Sequence, residues 1–231
     1  MEAGAGGDPA GGVVRLTPVP SDPHDVPTGV DEVIGCLTGM AVPGALNLYD
    51  EASCRSAGDP PGAATARVGA LRRYLVDHWA APTVLVGEAP GKDGARWTGV
   101  PFTSPFQVTG SGPDEPTARC VQRVLAELGL VGRVLCWNAS MLFGPDNRTP
   151  RRAELDASAP ALHLVSRGRT VLAVGRVAQR ATGCAYLRHP SHGGARLFAA
   201  GLAAAVPGPQ TGPESARGPA PASTPAVARS R

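Results

Sequence analysis

The sequence holds no long hydrophobic run. No uninterrupted apolar stretch reaches the roughly 20 residues that a membrane span requires, and the first residues lack the basic-then-apolar order of a secretory signal. The expectation is a cytoplasmic protein with no membrane partner. Paired cysteines are missing as well. Cys36, Cys54, Cys120, Cys136 and Cys184 are odd in number and widely spaced, with no Cys-x-x-Cys. That usage fits free thiols and argues against a metal site. Lysine is nearly absent: Lys92 is the only one, and arginine supplies the other basic side chains, as GC-rich coding would produce. The formal net charge of +3 permits a polyanionic partner without demanding one. A Walker A phosphate loop is excluded at Gly91-Lys92, because Val86 stands where its first glycine belongs and Asp93 where its hydroxyl residue belongs.

Among what is present, the length allows one domain of ordinary size with tails. Residues 1–24 are rich in Gly, Ala, Pro and Val, and 206–231 in Pro, Ala, Ser, Gly and Arg. Neither composition buries enough apolar surface to offset its ordering entropy, so both are expected to be disordered tails flanking a domain over 25–205.

The domain is organised around Thr83-Val84-Leu85-Val86-Gly87-Glu88-Ala89-Pro90-Gly91, a short apolar run that breaks into a tight turn carrying one carboxylate. Such a run reads as a strand buried on both faces, the kind that parallel sheets use. Its carboxyl end is where ligands bind in open α/β sheets. Arg133 to Asn138 repeats the pattern, Thr170 to Gly175 supplies a third run, and Ala185 to Arg188 a fourth that ends in His189-Pro190-Ser191. Helical spacing falls between the runs: Val30 to Leu37, Ala63 to Trp79, Pro116 to Leu130 (ended by Gly129 or Gly132), Pro150 or Arg151 to Ser166, and Arg176 to Thr182. Thr149 suits an N-cap with Pro150 at the first helical position. Arg67, Arg72 and Arg73 read most simply as a solvated face. Lys92 to Gly112 is an irregular stretch, long enough inside a compact domain to imply a task. Strands alternating with helices predict a three-layer α/β/α sandwich around a four-stranded parallel sheet.

Glu88, Asn138 and His189 therefore finish three of the four strands. Taken singly, each has an ordinary reading: a solvated turn, a turn cap, a carbonyl-bonded imidazole. Their convergence at one sheet edge points to site chemistry.

In order along the chain, Val86-Gly87-Glu88-Ala89-Pro90-Gly91, Gly99-Val100-Pro101-Phe102, Asn138, Asn147-Arg148-Thr149-Pro150 with Glu154, and His189-Pro190-Ser191 resemble the uracil-DNA glycosylase superfamily, most closely its family 4 type. The similarity covers about Thr83 to Ala195. The resemblance implies an enzyme that takes uracil out of the DNA stack and hydrolyses its N-glycosidic bond, acting as a monomer on single- or double-stranded DNA. It implies that Glu88 orients water and faces the sugar cation, and that His189 donates to uracil O2. Phe102 would stack on the base and the Asn138 amide would read its edge. Gly87, Ala89, Pro90 and Gly91 would line the pocket, and Ser191 belongs to a segment that contacts the DNA backbone. Family 4 members hold an iron–sulfur cluster on four cysteines. Here Leu142 and Ser158 occupy expected ligand positions and the close cysteine pair is missing, so no cofactor is expected. Gly91 replaces the bulky residue that blocks a 5-methyl group in the strictest uracil enzymes. A non-turnover DNA binder, a covalent trapper acting through His189 and a small-molecule nucleoside hydrolase are the alternatives on the same sheet.

Overall fold

The computed structural model describes residues 27–206. The expected tails, apart from Val206, lie outside the described residues. Val30, Val33, Ile34 and Leu37 recur at helical spacing and form the buried stripe of α1 (Thr28–Thr38). A two-residue strand β1 (Leu46–Asn47) and a short helix α2 (Glu51–Ser56) follow, the latter capped by the Asp50 carboxylate, which accepts from the Ser53 N–H at 2.6 Å. Helix α3 (Ala63–His78) leads into β2 (Thr83–Gly87), all five residues of which are buried.

The stretch expected to be irregular contains two short helices, α4 (Ala95–Thr98) and α5 (Pro105–Thr109). Then come α6 (Pro116–Glu127) and the equally buried β3 (Val134–Asn138). Strand β4 (Leu142–Phe143) pairs antiparallel with β1, a small second sheet that two-residue strands left invisible to periodicity. Helix α7 (Arg152–Ser166), β5 (Thr170–Val174), α8 (Gly175–Thr182), β6 (Ala185–Leu187) and α9 (Ala195–Ala205) complete the described chain. The expected start of α7 is corrected: Arg151, not Thr149, is the N-cap, and Glu154 reaches back to accept from the Arg151 N–H at 3.3 Å. Glu154 outcompetes the Thr149 hydroxyl because it serves this amide and Arg148 together.

The main sheet is parallel, in the order β3-β2-β5-β6. Alternation along each strand divides the core in two. Val84, Val86, Leu135, Trp137 and Ala173 face α1, α3 and α7, while Leu85, Val134, Cys136, Leu172, Val174 and Leu187 face α6 and α9. This is the three-layer α/β/α arrangement read from the sequence. The chain leaves β2 toward β3 on one side and reaches β5 on the other, so the order reverses beside β2. A crevice opens outside the strand ends at such a reversal.

Candidate active site

Register sets the geometry of the pocket. Gly87 and Asn138 are paired at the last rung of the β2–β3 ladder. The turn after β2 is tied to the segment after β3 by Ala139 N–H donating to Gly87 O at 2.8 Å and Ser140 N–H donating to Glu88 O at 3.0 Å. A small cavity lies beyond this rung, lined by Gly87, Glu88, Ala89, Gly91, Phe102 and Asn138, with His189 entering from the end of β6. Ala95, Glu115 and Thr117 complete the lining. Of the residues expected at the site, Pro90 is buried behind the turn and Ser191 sits against His189, so neither lines the cavity.

Asn138 is 3% exposed, and its side-chain Nδ2 is buried without a hydrogen-bond partner. An orphaned buried donor costs about 1–3 kcal/mol. Beside it, the Phe102 ring packs on Gly87: a Cβ there would meet Phe102 Cζ at 2.6 Å and Asn138 Oδ1 at 2.7 Å. Phe102 has φ of 54°, a backbone state that a bulky residue rarely adopts. Gln122 Nε2 holds it there by donating to its carbonyl at 3.0 Å. In this backbone state the ring lies against Gly87 and lines the cavity.

His189 is positioned by the residue two places on. The Ser191 backbone N–H donates to His189 Nδ1 at 3.2 Å, and Ser191 Oγ lies 2.7 Å from the same nitrogen. A backbone N–H can only donate, so Nδ1 is the acceptor and the neutral ring carries its proton on Nε2. Burial, with the charges of Arg188 and His192 adding to it, pushes the imidazole pKa below its usual value. The ring is neutral near pH 7, with one N–H left to give.

The turn that carries Glu88 and the α4 segment that follows it are held from three further directions. Asn147 Oδ1 accepts from Lys92 N–H at 3.0 Å, which brings the Asn147-Arg148-Thr149-Pro150 segment to the end of the Glu88 turn. Arg148 in turn makes a bidentate pair with the fully buried Glu154, at 2.5 and 3.0 Å. Behind α4, Asp59 bridges Arg67 at 2.7 Å and Arg96 at 2.7 Å and 3.0 Å. Burial pushes the Asp59 carboxyl pKa upward, but the hydrogen bonds and charges of the two guanidinium groups outweigh it and hold the group below its ordinary value. Arg67 is thus 4% exposed and not on a solvated face, as its sequence reading had it. Its place on the stripe with Leu71 and Leu75 carried the signal. The Tyr49 hydroxyl donates to Gly99 O at 2.8 Å and completes the brace. Among the described residues no group of three or more His, Cys, Asp or Glu is placed to hold a metal ion.

An orphaned buried amide, an aromatic ring, a carboxylate and a neutral imidazole thus meet at the open end of a parallel sheet. Residues 75–210 match the model of the uracil DNA glycosylase superfamily, and the chain belongs to that superfamily. No curated protein matches it in sequence. Among solved structures, it is similar to the crystal structure of wild-type SMUG2 from Pedobacter heparinus, with a TM-score of 0.52 and 13% identity over 77% of this chain and 96% of that one. At that identity the likeness is one of fold. No helix among the described residues is long and apolar enough to cross a membrane.

Proposed function

We propose that this protein is a uracil-DNA glycosylase that hydrolyses the bond between uracil N1 and the deoxyribose C1′ and leaves an abasic site. It would act as a cytoplasmic monomer on single- or double-stranded DNA. The observation that carries the reading is the buried, unpartnered Nδ2 of Asn138, a residue that lines the same small cavity as Phe102. A flipped uracil stacked on that ring offers O4 to Nδ2 and N3–H to Oδ1. Cytosine offers the opposite pattern at the same atoms, so one amide distinguishes the two bases.

Bond cleavage sends the electron pair to the base, leaving negative charge on uracil and positive charge on the sugar. His189, neutral and protonated on Nε2, donates to O2 as that negative charge grows. The Glu88 carboxylate, engaged by no hydrogen bond or ion pair among the described residues, faces the sugar side. There it stabilises the cation and orients a water whose oxygen bonds to C1′. The water's released proton passes to Glu88 or to solvent, and the uracil anion takes a proton on leaving. Ser191 acts in this scheme by fixing the His189 tautomer, beside any contact with DNA backbone. The same tautomer argues against covalent trapping, because Nε2 holds a proton where a nucleophile needs a lone pair. Incubation with uracil-containing single- and double-stranded oligonucleotides, followed by alkali to cleave abasic sites, tests the function. Strand scission at the uracil position is expected, and intact strands with tightly bound protein would instead favour a binder.

A further inference from the structure

Gly91 leaves the turn without a side chain on the cavity, yet the space is filled from elsewhere. A Cβ on Gly91 would lie 2.5 Å from Glu115 Oε1, and one on Gly94 would overlap Oε2 of the same carboxyl. Glu115 reaches this notch from the N-cap position of α6, where its side chain makes no capping bond. The helix end attracts acidic groups electrostatically, so a side chain that turns away from it and into a cavity is held there by shape. Two glycines accommodate its head group, and it lines the same cavity as Phe102, Asn138 and His189.

The bound base defines which edge this group meets. With N3 and O4 at Asn138, O2 at His189 and the sugar toward Glu88, the edge that remains is C5–C6. The lining that remains is Ala89, Gly91, Ala95, Glu115 and Thr117, of which Glu115 has the largest side chain. We propose that Glu115 is the specificity-determining residue on the C5 side of the pocket, its carboxyl occupying the volume that a 5-methyl group would need and so excluding thymine. This deepens the proposed function and rests on it. The charge state fits the position. Burial, reinforced by Asp93 from the catalytic turn and by Asp114 beside it, pushes the Glu115 pKa up to about 7. Asp114 is itself paired with Arg119, and Glu88 and His189 line the same cavity as Glu115. Below that pKa the carboxyl is neutral and does not repel the departing base anion; above it the ionised group does.

The test compares excision of uracil and of thymine, each mispaired with guanine in the same duplex, by the wild type, Glu115→Ala, Glu115→Asp and Glu115→Gln, all verified as folded by circular dichroism. The readout is the thymine-to-uracil rate ratio. In Glu115→Ala it should rise by about tenfold or more, the scale on which a pocket senses single methylene-sized changes. Glu115→Asp withdraws the carboxyl by one methylene and should raise the ratio less, which keeps the test alive if the alanine variant does not fold. Glu115→Gln, of equal size, should leave the ratio low. A ratio unchanged in both shortened variants while uracil is still released would overturn the role of Glu115 alone, as would ready release of thymine by the wild type. A wild type that releases no uracil would overturn the proposed function and this role with it.

Discussion

Gly87 and Asn138 are register partners at the ends of β2 and β3, and a Cβ on Gly87 would lie 2.7 Å from Asn138 Oδ1 and 2.6 Å from Phe102 Cζ. The Asn138 amide and the Phe102 ring, which the proposed function uses to read and stack the base, therefore depend on one missing side chain. Gly87→Ala must push one of them aside, and both belong to the pocket. Excision by this variant is expected to fall by about 100-fold or more, since displacements near 1 Å cost on that order. A single-turnover rate within a few-fold of wild type would show that the two groups tolerate displacement.

The His189 tautomer follows from its Ser191 partner. Nitrogen NMR of the imidazole near pH 7 should find Nδ1 unprotonated and Nε2 protonated. Because burial lowers the ring's pKa, the neutral form persists to more acidic pH than in an exposed histidine. A ring that is protonated on both nitrogens at neutral pH would contradict the assignment.

A titrating Glu115 is expected to make both activity and stability depend on pH. Its folded pKa of about 7 lies above the ordinary value of 4.5, so the folded state binds more protons than the unfolded state between those values. Stability then falls as pH rises through this window, and the full cost is present above it. Glu115→Gln removes the titration. Its melting temperature should exceed that of the wild type near pH 8 and lose that advantage near pH 5. Its excision rate should lack the decline through neutrality expected of the wild type. Parallel profiles for the two proteins would exclude Glu115 as the titrating group.

Asp59, its side chain 3% exposed, lies between Arg67 and Arg96 and anchors the loop that follows the Glu88 turn. Asp59→Asn would leave two guanidinium groups without their counter-charge, and breaking buried pairs of this kind costs about 3–5 kcal/mol. Chemical denaturation should report a loss of that order. A loss below about 1 kcal/mol, typical of exposed pairs, would mean that water reaches the cluster.

The parts of this architecture legible in the sequence were those with strong periodicity or punctuation. The four main-sheet strands are apolar runs because both faces of the sheet are covered, and Glu88, Asn138 and His189 stood out as polar residues ending such runs. Glu115 carried no comparable signal. It precedes a proline at a helix start, an ordinary place for an acid, and only the folded chain brings it against Gly91 and Gly94. Arg67 was missed because charge usually means solvent, although its spacing from Leu71 and Leu75 placed it on the buried stripe. The β1–β4 pair is too short for alternation to register. Thr149 was a reasonable cap by type, but Glu154 supplied the competing acceptor.

The central claim is that Glu88, Asn138 and His189 divide one excision reaction among them. Single-turnover release of uracil from a short oligonucleotide, with enzyme in excess, tests it most directly. Glu88→Gln and His189→Ala should each slow release by about 100-fold to 1000-fold, the usual cost of one preorganised transition-state group, with binding largely retained in Glu88→Gln. Asn138→Asp should weaken uracil recognition, because a carboxylate has no donor for O4. The account predicts rapid release by the wild type and these three distinct defects. Wild-type rates in all three folded variants would contradict it.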